Sequence, residues 1–241
     1  MQFSGNKVLV TGASSGIGYA LTRHFLRQGN EAVAVGRQLG RLPELRTEYP
    51  LALHPVAGDL TQRRPLDDLV GRPEQQHPTL NGLADNAAGR HNYDRLHGQN
   101  GAFGTGHEIP LHLTVPLQLV GRPELAAQPQ AAIVGVSSGL AFPPEQAAPV
   151  YCATKARLHV FTRALRYQLE HTRVQVLEII PWCTRPWRWA APPNSSPEAW
   201  VEEFWRAFTH GQWEGNLGKG QLLCRLLRLA PGVATRLMKP Y

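Results

Sequence analysis

Residues 7–18 read Lys7-Val8-Leu9-Val10-Thr11-Gly12-Ala13-Ser14-Ser15-Gly16-Ile17-Gly18. The first five form an apolar run of strand length, as expected of a strand buried in a parallel sheet. Glycines 12, 16 and 18 follow at once, and an amphipathic stretch then runs to about residue 28. Glycines let the backbone turn tightly and come close to a pyrophosphate, and a helix starting there offers free amide N–H groups and the positive end of its dipole. Strand, glycine turn and helix in that order predict a dinucleotide-phosphate site. The spacing is not G-x-G-x-x-G, since three residues separate the first two glycines.

Working outward, further strands are predicted at residues 31–36, 51–57, 82–85, 131–136 and 174–180, with helices at about 65–70, 108–120, 150–170 and 197–210. Residues 91–106 read as a polar, glycine-rich loop, and Ser195 or Ser196 caps the helix that follows it in the last quarter. The second strand ends in Gly36-Arg37, where a cofactor with a free ribose 2′-hydroxyl would be expected to meet an acid. An arginine beside a small residue suits a 2′-phosphate instead. Asp59, after the third strand, suits either an adenine amino group or the cap of the next helix. The segment Leu69-Val70-Gly71-Arg72-Pro73-Glu74 recurs as Leu119-Val120-Gly121-Arg122-Pro123-Glu124, but the flanking residues do not repeat, so no repeat architecture follows.

The chemistry concentrates between Ser138 and Lys155. Tyr151 and Lys155 stand four apart in a helical pattern and so share one face. Tyr151 is a candidate proton donor and Lys155 the cation that lowers its pKa. Ser138, at the end of the strand at 131–136, is placed to hydrogen-bond an oxygen that gains charge. His107-Glu108 and His112 miss the H-E-x-x-H zinc spacing by one residue, with Pro110 between, so no metal site is expected.

The 241 residues suffice for one large α/β domain. The net charge of +7 comes mostly from scattered arginines without interleaved aromatics, which argues against nucleic acid as a partner. No apolar run reaches the ~18 residues of a membrane span. The chain enters a strand within a few residues of Met1, leaving no room for a signal peptide, and its three separated cysteines fit a reduced, cytoplasmic setting. All six tryptophans lie between Trp182 and Trp213; the Trp- and Pro-rich start of this stretch suits either an apolar lid over a substrate or a packed aromatic cluster, and 182–241 is expected to form a substrate lid and C-terminal helices within the single domain 1–241. The apolar stretch 222–229 suits a docking helix or subunit contact.

With Thr11-Gly12-x-x-x-Gly16-Ile17-Gly18, Asp59-Leu60, Asn86-Ala87-Ala88-Gly89, Ser138 and Tyr151-x-x-x-Lys155 in this order, residues 5–185 resemble the short-chain dehydrogenase/reductase family. The resemblance implies a Rossmann-type, doubly wound, mainly parallel sheet flanked by helices. It implies reduction of a carbonyl (an aldehyde, ketone or oxoacyl compound) with NADPH, or the reverse. Tyr151 would be the general acid/base, Lys155 would hold the nicotinamide ribose and lower the tyrosine pKa, and Ser138 would orient the substrate oxygen. Gly12, Ser14, Ser15, Gly16, Ile17, Gly18, Asp59, Leu60, Asn86, Ala87 and Thr184 would line the cofactor, with Arg37 on the 2′-phosphate. A homodimer or homotetramer would form through the helices at 108–120 and 150–170. Three departures stand out. Asp85 and Ala88 replace the family's usual Asn and Gly, Trp182 stands where Gly or Pro is usual, and His112 takes the place of the Asn that holds a relay water. They motivate a second reading, a cofactor-binding sensor or scaffold with little catalysis.

Overall fold

The computed structural model describes residues 4–60, 79–86, 128–143, 148–181, 196–217, 229, 230 and 232. Seven strands form one sheet: β1 (Lys7–Thr11), β2 (Glu31–Gly36), β3 (Leu53–Ala57), β4 (Leu80–Asp85), β5 (Ala131–Val136), β6 (Val174–Pro181) and β7 (Glu214–Leu217). Their spatial order is β3-β2-β1-β4-β5-β6-β7, and every pairing is parallel. The helices among the described residues are α1 (Gly16–Arg27), α2 (Leu42–Glu48), α3 (Pro149–Gln168) and α4 (Pro197–Thr209).

A parallel sheet is covered on both faces, so its strands are apolar throughout and their side chains divide by alternation. Val8, Val10, Ala32, Ala34, Val134 and Ile179 pack with α1, α2 and α4. Leu9, Val33, Leu83, Ile133 and Val176 pack on the other side with Leu165, Phe161 and Leu169 of α3 and the turn after it. Trp205 of α4 lies edge-on to His24 and Phe25 of α1, with ring centroids 4.6 and 5.9 Å away. Burial outweighs charge at His24, whose pKa is lowered by desolvation, with Glu202 opposing it.

The chain order reverses between β1 and β4, which are neighbours although β2 and β3 intervene in sequence. At such a switch point the loops after the two strands part, leaving a crevice at the carboxyl ends of the sheet. The doubly wound architecture expected from sequence is therefore present, with the glycine turn on one side of the crevice and Asn86 on the other.

Element bounds agree with the sequence reading to within two residues in most cases, and Ser196 is the cap of α4, accepting from the Ala199 N–H at 3.1 Å. Three differences have physical causes. β3 starts at Leu53 rather than 51, because the Leu53 N–H turns back to the Tyr49 carbonyl at 3.0 Å. Its Pro55 is tolerated because β3 is an edge strand. β4 starts at Leu80, two residues before the expected strand, and β7 was not anticipated. The predicted helices at 65–70 and 108–120, the loop at 91–106, both copies of the repeated segment, the stretch 182–195 and residues 222–228 lie outside the described residues.

The extra length of β4 includes a register shift against β1, where Lys7 pairs with Leu80 and Val8 with Gly82. Asn81 is the residue left over. Its Oδ1 accepts the Lys7 N–H at 3.0 Å, and its Nδ2 donates to Asn6 Oδ1 at 3.0 Å and to the Gln130 carbonyl at 3.3 Å. The side chain thus replaces the ladder bond that the irregularity removes. Asn81→Ala is expected to cost about 2 kcal/mol, because it strips buried polar groups of their partner. Urea unfolding of the two proteins measures the loss.

Candidate active site

Each half of the crevice is built by a strand end. On the β1 side, Gly12 and Gly16 have φ of 62° and 55°, the left-handed conformation that favours glycine. Among the described residues, a Cβ at Gly16 would meet nothing within 4 Å, so they leave room beside the turn. A Cβ at Gly18 would strike the Gly12 carbonyl oxygen and come within 2.5 Å of Asn86 Nδ2, so only glycine lets α1 begin this close to β4. Ser15 stands at the N-cap of α1 without a side-chain capping bond, and no acid occupies the first turn. The amides at the helix start thus meet no carboxylate from the helix's own first turn. Ser14 packs against the end of β2, where Cβ atoms at Gly36 and Gly40 would each lie 3.0 Å from one of its atoms. Ile17 is half-buried against the core on that side.

Arg37 is exposed immediately after β2. Arg41, a neighbouring cation, lies with its guanidinium carbon 4.5 Å from the centre of the Tyr19 ring. Asp59 and Leu60 are half-buried beyond β3, with Leu60 against the core.

The β4 side is stitched to β1 by polar bonds. Thr11 Oγ1 donates to Asp85 Oδ1 at 3.0 Å and accepts the Asn86 N–H at 2.9 Å. Asn86 Nδ2 donates to the Thr11 and Gly12 carbonyls at 3.2 and 3.3 Å. Asp85 is buried, and among the described residues its Oδ2 has no hydrogen-bond partner. Burial pushes its pKa up to about 7, against the Thr11 hydrogen bond and the charge of Lys155.

Ser138 follows β5 by two residues and is buried, its Oγ accepting the Leu140 N–H at 3.2 Å across a short 3₁₀ turn, Gly139–Ala141. This leaves the hydroxyl hydrogen uncommitted among the described residues. Tyr151 and Lys155 lie in the first half of α3, whose first turn holds Pro149, and the Lys155 Nζ is 5.9 Å from the centre of the Tyr151 ring. Lys155 is 2% exposed and donates to the Val136 carbonyl at 2.6 Å. Burial pushes its pKa down to about 8, with Asp85 and then Glu178 opposing.

The structure therefore assembles Ser138, Tyr151 and Lys155 around the ends of β5 and α3, and the glycine turn and Asn86 around the ends of β1 and β4. Ala87, His112 and Thr184 lie outside the described residues. The sequence reading missed a buried pair beside Lys155: His159 Nδ1 lies 3.0 and 2.9 Å from the two carboxylate oxygens of Glu178. The available signals were a histidine four residues after Lys155 and a lone acid within the apolar run Val174-Gln175-Val176-Leu177-Glu178-Ile179-Ile180.

Asp85 has a testable effect on stability. Its folded pKa is raised, so its contribution is fully present below an unfolded value near 3.8 and is lost as pH rises through about 7. In Asp85→Asn that loss is absent. Between about pH 5 and about pH 7.5 the melting temperature of the variant is expected to gain on that of the parent by ~2 °C or more. Melting curves across that range test this, and a constant difference would refute the buried, proton-binding carboxyl.

Comparison with known proteins agrees with this arrangement. The family model described as short chain dehydrogenase matches residues 6–190. The chain is 41% identical over 183 residues to an uncharacterized oxidoreductase of Bacillus subtilis, DltE, covering 75% of this chain and 72% of that protein. It is 27% identical over 179 residues to the NADP-dependent 3-hydroxy acid dehydrogenase YdfG of Escherichia coli K12, covering 72% of this chain and 71% of that one. A short-chain dehydrogenase from Sphingobium yanoikuyae solved with NADPH superposes with a TM-score of 0.75 at 25% identity, over 95% of each chain. With a parallel sheet in this strand order, a glycine turn at its switch point and a family match spanning 6–190, the chain belongs to the short-chain dehydrogenase family of oxidoreductases.

Proposed function

We propose that the protein is an NADPH-dependent reductase of a carbonyl compound (an aldehyde, ketone or oxoacyl compound), able to run in reverse as an alcohol dehydrogenase. The observation that carries this reading is the buried Lys155 ammonium, one helical turn from Tyr151 and fixed on the Val136 carbonyl at 2.6 Å. Lys155 alone would also serve a cofactor-binding protein, but such a protein would have no need of the Tyr151 phenol beside it.

The cofactor, when bound, supplies the hydride that reduces the carbonyl carbon. Tyr151 holds the proton that goes to the carbonyl oxygen. Lys155 stabilises the phenolate left behind and so makes that donation easier near neutral pH. The free hydroxyl hydrogen of Ser138 points the carbonyl oxygen toward Tyr151 and takes up part of its developing charge. His112 is the proposed holder of the water through which a proton returns to the Tyr151 phenolate after donation. Gly12, Ser14, Ser15, Gly16, Ile17 and Gly18 would cradle the pyrophosphate. The bare start of α1 and the open space beside Gly16 fit that group. Asp59 and Leu60 would border the adenine, while Asn86, Ala87 and Thr184 would line the nicotinamide side. Arg37, exposed after β2 where an acid would select a free 2′-hydroxyl, is the proposed contact for a 2′-phosphate. The NADP named for the Escherichia coli relative and the NADPH of the Sphingobium structure favour the same cofactor here. Within 182–241, α4 and β7 belong to the body of the domain, and the rest of that stretch is assigned to the substrate lid and C-terminal segment; the working form is assigned to a homodimer or homotetramer in the cytoplasm.

Two measurements test the proposal. Fluorescence titration is expected to give a dissociation constant for NADPH at least about tenfold below that for NADH, with the gap closing in Arg37→Ser. Equal affinities in the parent protein would refute the Arg37 assignment. Tyr151→Phe is expected to lower kcat by about 10³ while leaving NADPH affinity unchanged. Undiminished turnover in that variant would end the mechanism, and NADPH binding without oxidation across a broad carbonyl panel would favour the sensor reading.

A further inference from the structure

We propose that Glu178, clamped by His159, is a positioning residue that sets a fixed, buried negative charge on the side of the sheet where Lys155 lies and so supports the lysine's ammonium form. The inference rests on the role given to Lys155 above and extends it to two residues outside the Ser–Tyr–Lys set.

The geometry begins on α3. Tyr151, Lys155 and His159 follow one another at intervals of four and so lie along one face. Both Lys155 and His159 are buried against the sheet. Glu178 comes from β6 and is fully buried. The register of β5 on β6 sets Gly135 opposite Glu178 and Val136 opposite Ile179. The carbonyl that holds the Lys155 ammonium therefore lies one residue along from the position facing Glu178. Gly135 lets α3 come down here, since a Cβ at that position would lie 3.0 Å from Thr162 Oγ1.

An ionised carboxylate inside an apolar strand is costly unless it is bonded and paired. His159 supplies the bond. A carboxylate offers only acceptors, so Nδ1 carries the hydrogen and donates to both oxygens, 3.0 and 2.9 Å away. The Phe142 ring packs edge-on to His159, 4.7 Å between centroids, and covers the imidazole. The carboxylate so fixed cannot swing out to water, and it opposes the burial that pushes Lys155 down to about 8. Among the described residues, Arg163 on α3 also interacts with Glu178, Glu214 of β7 stands opposite it and is held by Arg166 at 3.1 Å, and Lys155 itself faces Asp85 on β4 and the Tyr151 ring.

Removing this negative charge makes both Lys155 and Tyr151 release their protons at lower pH. Reduction needs Lys155 charged and Tyr151 protonated, so the alkaline limb of its pH–rate profile must move to lower pH. Glu178→Gln removes the charge and keeps an acceptor for His159. His159→Asn keeps a donor near the Nδ1 position and leaves the carboxylate in place. The full chain contains only four lysines, Lys7, Lys155, Lys219 and Lys239, so the Lys155 side chain can be followed directly by lysine-labelled NMR, with Lys155→Met identifying its signal. Glu178→Gln is expected to lower the Lys155 titration and the alkaline limb of kcat/KM by about one pH unit each, and His159→Asn to leave both close to the parent.

A folded Glu178→Gln protein with an unmoved Lys155 titration overturns the proposal. If that variant does not fold, the amide pair His159→Asn/Glu178→Gln, neutral and still complementary, is read the same way. A shifted Lys155 signal in a protein that reduces no carbonyl supports the positioning role and counts against the catalytic reading, so the two failures are distinguishable.

Discussion

The molecule is arranged around a cation taken out of water. An ammonium in a protein interior is stable only where fixed acceptors and opposite charges replace its hydration. Lys155 finds a carbonyl at the end of β5 and two carboxyls from flanking strands, Asp85 and Glu178. Each of these depends on the parallel sheet. β4, β5 and β6 are consecutive neighbours, so their ends reach one region, and α3 crosses their face closely enough to lay a lysine among them. Burial pushes Asp85 up and Lys155 down from their ordinary pKa values, and the attraction between the two opposes both shifts.

The second constraint is the junction of β1 with β4. The glycine turn alone does not fix a crevice. Asn86 does so by donating to the Thr11 and Gly12 carbonyls, while Thr11 joins Asp85 to the Asn86 amide. One threonine thus connects the glycine turn to the carboxyl that opposes burial of the lysine. The two halves of the site, one suited to a dinucleotide and one to proton transfer, share a hydrogen-bonded seam.

Much of this was legible in the chain. β1, the glycine turn, β2, β5, α3 and β6 announce themselves because local pattern and tertiary role agree: apolar runs lie in the sheet, glycines at the turn, and a four-residue spacing on one helix face. Ser138, Tyr151 and Lys155 follow from those elements. What was not legible depends on partners distant in sequence. β7 holds Gly215 and Asn216, poor strand formers, and is a strand because β6 offers it an edge. The start of β4 is set by the Asn81 side chain, which no periodicity encodes. The His159–Glu178 pair joins a helix to a strand across nineteen positions, and each residue alone looks unremarkable. Asp85 was visible as an unusual residue, but the lack of a partner for its Oδ2 among the described residues was not.

The packing of α4 on α1 has a consequence for how the chain reaches this state. α1 belongs to the first unit of the sheet, but the aromatic cover over Phe25 and His24 comes from Trp205, about 180 positions later. A nascent chain leaving the ribosome can form β1, α1 and β2 early. It cannot close the apolar surface of α1 until α4 has been made. Through most of synthesis the first helix is therefore an unfinished surface open to chaperones or to another chain, and the protein completes its first module with one of its last.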